Sequence, residues 1–138
     1  MIIRTIDEIK QKVEEGFKAD VFGFGKYDIA EALPFEDVKD MLSEEFLSRP
    51  DAKELWEKDR LKTKEDVLRK MRDYLDFAWE KANNGRGLSA DRSIQHYIAW
   101  SWLIDEELHN KLVRMYLEEY DDYGKNILKY IENWLSNQ

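Results

Sequence analysis

Four residues in one stretch of this chain carry groups that bind or exchange charge: Arg86, Ser89, Arg92 and His96. They lie in GRGLSADRSIQHYIAWSWLI, residues 85–104, where a glycine-punctuated turn precedes a strongly apolar segment. At about 100° per residue, Ser89, Arg92, His96 and Trp100 fall on one line of a helix, and Ile94, Tyr97, Ile98, Ser101 and Ile104 fall opposite. A helix N-terminus offers unpaired N–H groups and a partial positive charge. Two guanidinium groups beside it add paired donors for a phosphate or carboxylate. One expectation is therefore an anion site built from Arg86, Ser89, Arg92 and His96, with His96 as a proton donor. The other is structural: Ser89 caps the helix, the arginines pair with acidic neighbours, and His96 is a satisfied histidine at the core edge. A pocket at this seam favours the first; packing against carboxylates favours the second.

Other spacings carry less. Glu106-x-x-His109 has the i, i+3 spacing of carboxylate-bridged di-iron bundles, but these need a second such motif. The only other histidine, His96, has Ser93 at that position. Ser93 and His96 share a helix face, yet no strained turn or oxyanion-type glycine loop presents the serine as a nucleophile. Gly23, Gly25 and Lys26 lack P-loop spacing and its Ser/Thr. Without cysteine there is neither a disulfide nor a thiolate zinc site. No catalytic residue, metal or cofactor is expected.

The elements that would position the seam are helical. Thr5-x-x-Glu8 and Thr63-x-x-Asp66 have capping-box spacing. The first opens a helix over about 5–16; the second opens the clearest one, with Val67, Met71, Tyr74, Leu75, Ala78 and Ala82 as its stripe. Asn83-Asn84-Gly85 ends it, with Gly85 as the left-handed residue. The central helix is expected over about 89–104, stopped by Asp105, which also caps the next. Between the two capping boxes, Leu33-Pro34, Ser43 and Pro50-Asp51 punctuate short helices. No run alternates cleanly enough for a strand. The expectation is an all-α chain of about six to eight helices, forming one irregular domain over 1–138. Short helices and loops of 1–62 pack on a main bundle, 63–138, with the central helix buried in its middle.

At GLSADRSIQHYIAWSWL and YGKNILKYI the chain resembles small, uncharacterised proteins of bacterial and prophage genomes. The resemblance covers roughly the C-terminal half and implies a bacterial or phage context, with no chemistry attached.

Composition narrows the partners. The 138 residues carry a formal charge of −8, spread as −5 and −3 over the two halves. A duplex nucleic-acid binder gains affinity by neutralising phosphates with a basic face, and none is supplied. The start, MIIRTIDEIK, turns charged within four residues and lacks the apolar core of a signal peptide. No apolar run reaches membrane length. A soluble, cytoplasmic protein is expected.

Residues 105–122 hold seven carboxylates against Lys111 and Arg114, a face suited to a basic protein surface or to a solvated exterior. Trp and Tyr crowd the C-terminal half, and both are preferred interface anchors. An apolar helix flanked by Trp100 and Trp102 needs either a full helical shell or a second subunit, so a homodimer is among the expectations. These features together point to a non-enzymatic interaction or regulatory protein with a protein partner. The alternative is a small-molecule module holding a phosphate- or carboxylate-bearing ligand at the seam.

Overall fold

The computed structural model describes residues 2–138; Met1, the first residue of the expected 1–138 domain, lies outside the described residues. Those residues form nine α-helices and no strand, so the protein is an all-α bundle. The opening helix, α1 (Ile6–Glu15), starts on a complete capping box. The Thr5 hydroxyl accepts from the Glu8 amide at 3.1 Å, and the Glu8 carboxylate accepts from the Thr5 amide at 3.0 Å.

Four short helices follow: α2 (Gly25–Ala30), α3 (Phe35–Val38), α4 (Glu44–Leu47) and α5 (Ala52–Asp59). The count exceeds the expected six to eight because α3 and α4 are separate single turns. Pro34 is extended and stands just before α3 rather than within its first turn. Ser43 caps α4, its hydroxyl accepting from the Phe46 amide.

The long α6 (Lys64–Asn83) begins on the Thr63/Asp66 box and ends at Asn84, with Gly85 left-handed at φ +64°. The central helix, α7 (Gly87–Ile104), starts two residues before the expected span of 89–104. Gly85 turns the chain so tightly that only Asn84, Gly85 and Arg86 separate the two helices. The first helical bond runs from the Ala90 amide to the Arg86 carbonyl at 2.8 Å. Ser89 therefore sits inside the first turn and does not cap it.

From Ser93 to Ile104 every side chain of α7 is buried except that of His96. Helices α2, α6 and α8 (Glu106–Glu118) pack around it. Trp100 is 2% exposed and Trp102 7%, so burial is complete within one chain. Truncating a buried aromatic of this kind to alanine costs about 3–5 kcal/mol. The N-terminal segment straps the far end: Arg4 Nε donates to the Trp102 carbonyl at 2.8 Å, with its guanidinium 4.4 Å above the indole. Asp105 closes α7 and caps α8, accepting from the Leu108 amide at 2.8 Å. The last helix, α9 (Lys125–Ser136), lies on α6. One apolar core runs from Ile2 to Leu135. No helix among the described residues is long and apolar enough to cross a membrane.

Candidate functional site

The α7 seam runs from solvent into the core. Arg86 and Arg92 are exposed, Ser89 and His96 half-buried, and Trp100 buried. The four candidate residues do not converge. Arg86 is the residue before the helix and makes no capping hydrogen bond. The Ser89 carbonyl is used within the helix, accepting from the Ser93 hydroxyl at 2.9 Å. Arg92 lies over two aromatic rings of the loop before α2, 5.9 Å from Phe22 and 5.5 Å from Phe24. Among the described residues neither arginine has a carboxylate within ion-pairing distance.

His96 faces elsewhere. Its Nδ1 is 2.6 Å from Oδ2 of Asp28, a buried carboxylate on α2. Its ring stacks on Trp100 at 5.5 Å and meets the edge of Tyr74 from α6 at 5.4 Å. Burial pushes the Asp28 carboxyl above its ordinary range, against the hydrogen bond and charge of His96. Glu31, the residue after α2, pushes it the same way, while Lys70 of α6 opposes. Lys70 is itself paired with Glu31. Three helices thus bring two carboxylates, an imidazole and an ammonium together at the edge of the core. Sequence reasoning missed Asp28. Its signal was an acid between Tyr27 and Ile29-Ala30, on a helix too short for periodicity to assign a face.

The second histidine is structural in its contacts. His109 Nδ1 donates to the Ile98 carbonyl at 2.8 Å, joining α8 to α7, and Phe17 packs edge-on against the ring. Burial depresses its basicity. Glu106, its i−3 neighbour, points to solvent and approaches Arg4 at 3.6 Å. No group of three or more His, Asp or Glu side chains among the described residues is arranged to hold a metal ion. The hydroxyls of Ser93 and Ser101 both donate to carbonyls of their own helix, so neither is presented as a nucleophile.

A second surface lies where α8 ends. Leu117, Tyr120 and Tyr123 stand out at 47%, 38% and 45% exposure among Glu118, Glu119, Asp121 and Asp122. Asp122 and Tyr123 are both left-handed, at φ +46° and +58°, and Gly124 follows at +79°. The Tyr123 ring lies against Gly85 and Gly87, where a methyl group would stand 3.6–3.9 Å from it. Two consecutive left-handed residues with side chains are strained, and such strain concentrates at functional turns. No protein-family model, curated protein or solved structure matches the chain.

Proposed function

We propose that this chain is a non-enzymatic interaction or regulatory protein of bacterial or phage type, acting in the cytoplasm through its α8–α9 corner. The observation that carries the reading is the composition of that corner. Residues 115–124 hold four carboxylates and three tyrosines with no cation. Leu117, Tyr120 and Tyr123 are left exposed between the acids. Exposed aromatics supply contact area at low entropic loss, and surrounding charge steers a partner of opposite sign. The partner class is a protein with a basic surface. A second copy of this chain, itself strongly acidic, fits the corner less well.

The test begins with tagged protein recovered from its native host, compared with a Leu117→Ser/Tyr120→Ser variant. Wild type should retain a stoichiometric protein with a basic face, released as salt is raised; the variant should lose it. Retention by both proteins, or recovery of this chain only as its own dimer, would reject the assignment.

One observation favours the second reading, a phosphate- or carboxylate-bearing ligand at the α7 start: Arg86 and Arg92 have no carboxylate partner. In that reading Arg86, Ser89 and Arg92 hold the anion. His96, held by Asp28 through Nδ1 and packed on Trp100 and Tyr74, takes no part in that reading. Titration with inorganic phosphate, by chemical-shift change in the Ser89 and Arg92 amides, decides it. Shifts that vanish in Arg92→Ala support the site, and their absence removes it.

A further inference from the structure

One carboxylate of α7 lies without an ion pair where that helix meets the α8–α9 corner. Leu88, Asp91 and Gln95 follow at steps of three and four, so they share one helix face. The face slopes from surface to core: Leu88 is 56% exposed, Asp91 half-buried and Gln95 only 1% exposed. Beside it stand Tyr116 of α8 and Tyr120 just beyond the helix end, their rings edge to face at 5.6 Å.

Two polar atoms on this face are sealed from solvent and make no hydrogen bond, Oδ1 of Asp91 and Nε2 of Gln95. The Gln95 amide is not free to turn over, because its Oε1 accepts from the Val21 amide at 3.1 Å. Asp91 and Gln95 both act on the Tyr116 hydroxyl. Burial is the main cause that raises its proton affinity; Asp91 raises it further, and Gln95 opposes. The Tyr120 hydroxyl is raised too, by burial and then by the Asp91 charge. Both phenols therefore stay neutral at physiological pH, and Asp91 is the one charge among these four groups.

No cation of the chain answers that charge. Asp91 has no ion-pair partner among the described residues. Arg92, next in sequence, lies over Phe22 and Phe24 instead. A sealed polar atom without a partner is costly, most of all on a charged group. A carboxylate flanked by tyrosine rings suits a cation, which pairs with the charge and lies against the ring faces. Leu88, Leu117 and Tyr123 are exposed around it, and the Tyr123 ring lies against Gly87, next to Leu88. Such an apolar rim is how protein interfaces keep water from their central contacts.

We propose that Asp91, with the Tyr116 and Tyr120 rings, receives a basic side chain of a protein partner, a lysine ammonium or an arginine guanidinium. This contact presumes the basic partner proposed for the α8–α9 corner and lies beside Leu117, Tyr120 and Tyr123. Gln95, buried beneath Asp91 on the same face, is its natural reporter.

Nuclear magnetic resonance of the intact chain, followed at the Gln95 side-chain amide and the Asp91 backbone amide, tests it with three probes. These are N-acetyl-lysine methylamide, N-acetyl-arginine methylamide and the neutral N-acetyl-norleucine methylamide. Either cationic probe should shift both signals saturably, and the norleucine probe should not. Asp91→Asn should weaken the effect by roughly fivefold or more. Asparagine matches aspartate in size and removes only the charge, so the fold should persist, as circular dichroism will verify. Glu118→Gln, which removes an exposed carboxylate from the same corner, should leave the shifts unchanged. No saturable shift with either cation overturns the inference, as does equal weakening by Asp91→Asn and Glu118→Gln. A host partner lost from Leu117→Ser/Tyr120→Ser but fully retained by Asp91→Asn removes the Asp91 contact and leaves the corner standing. Retention by Leu117→Ser/Tyr120→Ser with the Gln95 shifts intact instead rejects the corner and keeps the cation site.

Discussion

His96 and Asp28 stand 68 residues apart in the chain and 2.6 Å apart in space, as the only polar link among the described residues between α2 and the middle of α7. The carboxylate is buried and its proton affinity is raised, with desolvation as the largest cause. A raised folded-state value means that the protonated form is the one folding favours. The stability it contributes is present below the ordinary carboxylate range and is lost as pH rises through the folded value. At neutral pH Asp28 therefore weighs against the fold, and the hydrogen bond and charge of His96 recover only part of that.

Asp28→Asn separates these effects. The amide oxygen keeps an acceptor for Nδ1–H while the buried charge goes. The unfolding midpoint at pH 7 should stay level or rise. His96→Ala instead strands the carboxylate. Fully buried pairs lose about 3–5 kcal/mol on such a change, and a quarter-exposed imidazole puts the loss nearer about 2–3 kcal/mol. Equal losses in the two variants would show the ionised pair to be net stabilising, against this account.

His109 gives the opposite pH dependence. Burial lowers its value, as do the nearby Arg4 and Lys12, while the Ile98 carbonyl and Glu106 raise it. A depressed histidine stabilises the fold above its unfolded value, near about 6.5, and that stability is lost as pH falls through the folded value. Wild type should lose up to about 1.4 kcal/mol per pH unit from this one group as pH drops from about 7 to 5.5. His109→Gln keeps an N–H for Ile98 and cannot titrate. Denaturant midpoints at several pH values should show a flatter slope for the variant, and parallel slopes would contradict the assignment.

Both histidines show where the sequence was legible and where it was not. Capping boxes, the Gly85 stop and the Asp105 boundary depend on neighbours within four residues, and the chain shows them directly. The all-α class followed from the same local signals. The partner of His96 depended on which face of a six-residue helix turns inward, and so on contacts 68 residues away. Ser89 misled because a serine before an apolar run looks like a cap, whereas the glycine turn let the helix begin earlier.

The α8–α9 corner supplies the last prediction. Gly124 is left-handed, and a methyl group there would stand 3.1 Å from Ile94 Cγ1 and 3.3 Å from the Tyr120 ring. Gly124→Ala should therefore destabilise by about 1–3 kcal/mol, combining backbone strain with crowding. Asp122, two residues earlier and exposed, is also left-handed, so Asp122→Gly should relieve strain and raise stability by up to about 1 kcal/mol. Its ion pair with Lys125, 3.5 Å long at the surface, subtracts little from that gain. If the strained turn exists to present Tyr120 and Tyr123 to a basic partner, the stabilised Asp122→Gly protein should bind that partner more weakly. Urea unfolding and partner titration on the same variant read the two quantities separately. Higher stability with weaker binding supports a turn strained for function; lower stability would show that Asp122 holds the turn by contacts stronger than its backbone strain.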